Sequence, residues 1–196
     1  MKTFDQLYNK ITSDLENNLP AYLTYHDFNH TRLVIEKAIL IGENEQISDN
    51  ELLLLKIAAL YHDTGYKVSS ENHEAESCKI AESELPDFGF NSQEIGQICG
   101  MIMATKIPQQ PQTALEGILA DADLEYLGTN EYDLINQKLF NEVKHFRPDL
   151  TEKQWFEIQI GFLSKHHYHS EFCKKNREPK KLENLQKIKE KLRLIS

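Results

Sequence analysis

The stretch from Leu52 to Gly65, LLLLKIAALYHDTG, decides how this chain is read. From Leu52 to Leu60 only Lys56 is polar. A helix that is apolar nearly all round belongs at the centre of a fold. Ser48 and Glu51 form an S-x-x-E capping box that opens it, and Gly65 closes it. Just before that close stand His62 and Asp63. Charge at the end of so apolar a helix is costly to bury unless something compensates it. Adjacent helical side chains diverge by about 100°, so the two can reach one ion only near a helix end. The pair also fits a histidine favoured by the C-terminal dipole beside a loop aspartate. From this stretch alone both readings stand.

Helical periodicity extends outward from this segment in both directions. Phe4, Leu7, Ile11 and Leu15 form one stripe, stopped near Pro20. A second helix is expected over Thr31–Ile41, ended by Gly42, and a fourth from His73 to Leu85, ended by Pro86. Ser92 opens a fifth with Ile95, Ile98, Cys99 and Ile102 inward, and KIPQQP at Lys106–Pro111 reads as a loop. Thr113 and Glu116 suggest another capping box, opening a helix through Leu127 to Gly128. Further helices are expected at Glu131–Phe146, Glu152–His166 and Leu182–Leu194. Strand signals are weak. The expectation is one all-α domain over residues 1–196, a bundle of about eight or nine helices.

Composition narrows the function. The net charge is −9 over 196 residues, which lacks the electrostatic footprint for binding a nucleic-acid polymer. Cys78, Cys99 and Cys173 are widely spaced with no CxxC pair, which argues against a thiolate zinc site and for free thiols in a reducing compartment. MKTFDQLYNK does not read as a signal peptide, and no apolar run is long enough to span a bilayer. A cytoplasmic protein without a membrane partner is expected; a homo-oligomer is compatible.

Three separated segments share one chemistry: His30 in YHDFNHT, the His62–Asp63 pair, and Asp121 and Asp123 in LADAD. Imidazole and carboxylate donors without thiolate suit a borderline-to-hard divalent ion, among Mn, Fe, Co, Zn, Ni and Mg. His26 and His30 share a face if Asp27 opens the helix. Asp123 lies nearer the apolar side of its helix than Asp121, and a carboxylate aimed at a core needs a partner. The HHYH cluster at His166–His169 reads as a helix end near the cleft. The basic run Lys174, Lys175, Arg177, Lys180 and Lys181 reads as a solvated face.

Together these segments resemble the H…HD…D signature of the HD-domain metal-dependent phosphohydrolase superfamily. The matching stretches are YHDFNHTRLV, LLKIAALYHDTGY, NHEAES and LADADLEYLG, and the resemblance continues through Asn141–Arg147, HHYHSEF and REPKKLENL. It is greatest for stand-alone predicted HD phosphohydrolases. The resemblance implies an HD-type helical bundle with a metal held by His30, His62, Asp63 and one aspartate of the last motif, Asp123 in preference to Asp121. His73 sits where dinuclear members carry a further ligand. A later histidine of those members is missing from ATKIPQQ, which favours one ion, or one tight ion and a weaker second near His73.

Such a site implies hydrolysis of a phosphate ester of a small molecule, a nucleotide or related metabolite, by metal-activated water. Asp63 or Glu74 would hold the water. Lys67, His73 and Lys106 would bind phosphate, and His26 would bind phosphate or donate to the leaving oxygen. The alternative is a regulatory HD domain that binds a nucleotide without turnover. An oxygenase, which dinuclear iron would allow, is disfavoured by the same missing histidine.

Overall fold

Ten α-helices and three short 3-10 turns, with no β-strand, make up residues 4–195, the range described by the computed structural model. The start of the MKTF segment falls outside that range. The helix that opens at the Ser48–Glu51 box, α3 (Asp49–Tyr61), is the centre, with both arms of the box formed. Leu54, Leu55, Ile57, Ala58, Ala59 and Leu60 are all buried. Burying each leucine or isoleucine contributes about 1.5–3 kcal/mol, which is why α3 draws other helices around it. It packs against α1 (Phe4–Asn18), α2 (Phe28–Asn44), α4 (His73–Glu84), α5 (Ser92–Ala104) and α6 (Ala114–Asp123). Together they enclose the larger apolar cluster. A smaller one gathers Tyr25, Leu124, Tyr126, Leu127 and Tyr132 with Leu163, Leu185 and Ile188. These last come from α7 (Tyr132–Phe146), α8 (Glu152–Lys165) and α10 (Glu178–Leu194), while α9 (Glu171–Asn176) is a short link.

Four local expectations are corrected. Helix α2 begins at Phe28 and runs past Gly42 to Asn44, because Gly42 lies inside the helix facing Ile47 and Leu55. Helix α6 stops at Asp123, and Glu125–Gly128 tightens into a 3-10 turn. The Leu124 and Glu125 carbonyls there accept from the Tyr168 hydroxyl, each at 3.3 Å. At the start of α6, Thr113 caps the Glu116 amide, but Glu116 reaches back to Gln112 and so leaves the capping box half-formed. The last helix begins at Glu178, with Pro179 in its first turn, where proline costs no hydrogen bond.

The basic run is also not a solvated face throughout. Arg177 pairs with buried Glu125. Lys181 is 1% exposed, and its Nζ donates to the His166 carbonyl at 2.5 Å, lies 3.3 Å from His166 Nδ1 and pairs with Glu178 at 2.9 Å. Those partners compensate a buried ammonium.

Burial first, and then the Lys181 charge, push the His166 imidazole down to about 3. The unfolded chain takes up a proton near the ordinary histidine value of about 6.5, whereas the folded chain does not until much lower pH. This contribution is therefore full above about pH 6.5 and is lost as pH falls toward about 3. The melting temperature, followed by circular dichroism, should drop more steeply between about pH 6.5 and about pH 4 in wild type than in His166→Gln. Equal slopes would assign the acid sensitivity to other groups.

Candidate metal centre

Asp27 caps α2 by accepting from the His30 amide at 2.9 Å. That cap sets His30 in the first turn, buried, with its Nε2 turned inward. His62 terminates α3, and its Nδ1 lies 2.8 Å from the Ala59 carbonyl. A carbonyl only accepts, so Nδ1 carries a proton and Nε2 is the ligand-side nitrogen. His30 Nε2 is 3.3 Å from His62 Nε2 and 3.0 Å from Asp123 Oδ1. Asp63 Oδ2 stands 3.2 Å from His62 Nε2 and 3.5 Å from His30 Nε2. Helices α2, α3 and α6 thus bring four side chains to one point.

The turn that carries His62 and Asp63 is clamped by α4. Ser77 Oγ donates to the His62 carbonyl at 2.7 Å and accepts from the Gly65 amide at 2.8 Å. A Cβ on Gly65 would lie 2.0 Å from the His73 carbonyl oxygen, so only glycine permits this approach. Helix α4 also brings in His73, whose Nε2 is 3.6 Å from Asp63 Oδ1 and 3.5 Å from Glu74 Oε1.

Electrostatics ties the group together. Burial pulls the His62 imidazole down, but Asp63 and Asp123 more than offset this and hold it well above its usual range. Burial likewise raises both carboxyls, yet His62 beside Asp63, and His30 and His62 beside Asp123, keep them well below theirs. The proton that these carboxylates favour on His62 is one that a cation would displace. The donor set fits a divalent cation. His30, His62 and Asp123 offer ligand atoms within 4.8 Å of one another. Ligands bound at about 2.1 Å and at right angles on one ion lie about 3 Å apart, close to the spacings here. The buried Asp63 Oδ2 has no hydrogen-bond partner, the kind of orphan that an ion satisfies.

The other expected residues divide. The Asp121 carboxylate points away, accepting from the His169 and Ser170 amides at 2.8 Å and from the Ser170 hydroxyl at 2.5 Å. It pins the segment after α8. His26, His73 and Glu74 line a cavity of about 330 Å³ that opens onto Asp63 and Asp123. Glu74 is buried there, and its Oε2 is also without a partner. Lys67 instead pairs with Asp14 of α1. Lys106 is exposed and lines a separate hollow with Glu116. Neither lysine is among the residues lining the cavity at the cluster.

Three residues at the site carry chemical roles that the sequence did not assign to them. Glu142 of α7 accepts from the amides of Tyr25 and His26, at 2.8 and 3.0 Å, and holds His26 Nδ1 at 2.5 Å. Burial lowers His26, but Glu142 overcomes this and raises it. Tyr66 stacks against both His26 and His73, its hydroxyl 3.2 Å from His26 Nε2. Tyr25 packs on His30 with ring centroids 4.6 Å apart. Their only sequence signal was the aromatic character around His26.

The family model of the HD domain matches residues 27–125, half of the chain. The protein belongs to the HD domain family. Membership fits a metal-dependent phosphohydrolase in general. No curated protein matches. Among solved structures, the chain is similar to a predicted HD superfamily hydrolase from an uncultured Thermotogales bacterium. The two are 20% identical, with 98% of this chain and 93% of that one covered and a TM-score of 0.63. It is also similar to Bacillus subtilis YpgQ in complex with ADP, at 16% identity over 95% of each chain with a TM-score of 0.65. At these identities the likeness is one of fold. No helix among the described residues is long and apolar enough to cross a membrane.

The two aspartates of α6 should separate cleanly by experiment. Asp123→Asn should lose most of its bound metal, measured by elemental analysis after Mn loading, with little change in melting temperature. Asp121→Asn should keep the metal but lose about 1–3 kcal/mol of stability in urea, since the charged acceptor of two amides is weakened. The reverse pattern would transfer the ligand role to Asp121.

Proposed function

We propose that this protein is a metal-dependent phosphohydrolase that cleaves a phosphate ester of a small molecule, a nucleotide or related metabolite. One observation carries the reading. Asp63 Oδ2, which makes no hydrogen bond, is buried against the Nε2 atoms of His30 and His62, with Asp123 beside them. His30, His62, Asp63 and Asp123 would hold the ion. A divalent cation, when bound, supplies polarisation of a phosphoryl oxygen and acidification of water.

The chain's own side chains supply the rest. Glu142 fixes the His26 ring and favours its charged form. A fixed imidazolium on the cavity wall can donate to a phosphate oxygen or to the leaving oxygen. Glu74, with an unpaired carboxylate oxygen in the same cavity, is suited to orient the attacking water and take its proton. His73 lies between Asp63 and Glu74 and is the second cavity-facing donor for phosphate, or the ligand of a weaker second ion. Lys67 and Lys106 leave this scheme because their side chains go elsewhere. The ADP bound to Bacillus subtilis YpgQ supports a phosphorylated ligand here.

The test is metal analysis of the purified protein followed by a phosphate-release screen of nucleotides with Mn, Co, Mg and Ni. Wild type should release phosphate with at least one ion. His62→Ala and Asp63→Ala should lose the metal and at least about 100-fold in activity, because removing even an outer-shell partner costs about 10–100-fold. Helical content should hold. Full activity in either variant would refute the ligand assignment. A nucleotide that binds tightly yet is never turned over with any cation would favour the regulatory alternative.

A further inference from the structure

A second cavity, of about 460 Å³, lies beside the first. Ile107, Ile158 and Phe162 line both, so the two hollows share an apolar wall. Ile107 and Ile158 are 51% and 39% exposed, which is apolar surface left open next to a polar site. Gly161 lies on the second cavity's wall, inside α8. Glycine inside a helix costs about 1 kcal/mol relative to alanine. A Cβ built there meets nothing within 4 Å, so the missing side chain leaves the hollow open.

Gln109, Glu157, Lys165, His166, His167 and His169 are the polar residues of this second cavity, and two of them are fixed by contacts in the fold. Lys181 can only donate, and its Nζ lies 3.3 Å from His166 Nδ1. Nδ1 must therefore accept, which leaves the proton on Nε2. His166 is 9% exposed, and its Nε2 has no partner. Gln109 donates its amide nitrogen to the Ala120 carbonyl at 2.8 Å. That contact fixes which end of the amide is which, and the opposite end, Oε1, is buried without a partner. His169, on the same wall, likewise has an unpartnered Nε2. A mostly apolar cavity thus has, set in its wall, one N–H donor and one carbonyl acceptor fixed by contacts behind them, with the unpartnered His169 Nε2 nearby. Small-molecule sites are built this way: apolar walls with a few polar groups that set orientation.

Resting on the phosphohydrolase reading, we infer that this cavity receives the planar heterocycle of the substrate, a nucleobase, while the phosphates lie at the metal centre. His166 Nε2 donates to a ring nitrogen or carbonyl of the base, and Gln109 Oε1 accepts from its exocyclic amine or ring N–H. Phe162, on the shared wall, supplies an aromatic surface for the ring. His166 and Gln109 are therefore specificity residues, and they do no chemistry.

The experiment compares KM and kcat for the nucleoside 5′-monophosphates and for ribose 5-phosphate, the same ester without a base, with Mn added. Gly161→Trp fills the cavity from a helical position that tolerates a side chain. Gln109→Leu removes the acceptor at similar size. Both should raise KM for nucleoside monophosphates about 10-fold, with kcat within about twofold and ribose 5-phosphate hydrolysis unchanged, since an unmade buried hydrogen bond costs about 1–3 kcal/mol. Unchanged KM in both variants, or equal losses on ribose 5-phosphate, would overturn the inference. Should no phosphate be released from either compound, the hydrolase reading fails, and ligand-observed NMR of the free nucleosides decides the cavity separately. Saturation transfer to wild type that vanishes in Gly161→Trp supports the base pocket. No transfer, or equal transfer to both proteins, rejects it.

Discussion

The burial of His62 and Asp63 at the end of the central helix α3, apolar nearly all round, is the constraint on which the rest of the structure depends. Charge in that position is tolerable only with partners. Helix α2 brings His30 and α6 brings Asp123 to within 3.6 Å of the His62 imidazole. Helix α4 clamps the turn from behind through Ser77. The same hydrophobic burial that assembles α1 to α6 around α3 is thus what forces the polar cluster together. The site lies where the two apolar clusters meet, with Tyr25, Leu124 and Tyr126 closing it from the side of α7, α8 and α10.

Much of this was legible in the sequence because it is local. The capping box, the all-round apolarity of α3 and the glycine after His62–Asp63 are properties of one segment. The Asp121–Asp123 choice was harder because α6 is covered on two sides. Residues two apart on a helix face nearly opposite ways. One side meets α2 and His30, and the other meets the His169 and Ser170 amides. Both aspartates are therefore engaged, and periodicity alone only leans toward one. Glu142 and Tyr66 could not be read at all, since their roles arise from contacts with His26 across 116 and 40 residues of chain. Lys181 misled for the same reason. A lysine in a basic run is usually solvated, and only the return of the chain at His166 makes burial affordable.

Two consequences for function follow from the way charge is distributed. The protein as a whole is acidic, yet the cavity at the cluster carries two histidines, His26 and His73, both stacked against Tyr66. A phosphate can therefore be met by local donors and a cation without any basic surface. Of the lysines expected to do this, Lys67 pairs with Asp14 and Lys106 is exposed beside a separate hollow. Binding a small anion inside a cleft, in place of a polymer on a surface, is what such a distribution suits. The adjoining apolar hollow, with its locked donor and acceptor, is suited to the uncharged part of the same ligand.

The most direct measurement is a crystal structure of the Mn-soaked protein with data collected at the metal absorption edge. The account predicts an anomalous peak within bonding distance of His30 Nε2, His62 Nε2 and carboxylate oxygens of Asp63 and Asp123. A fully occupied peak elsewhere, at His166–His169 for example, or those four side chains left without density between them, would contradict it.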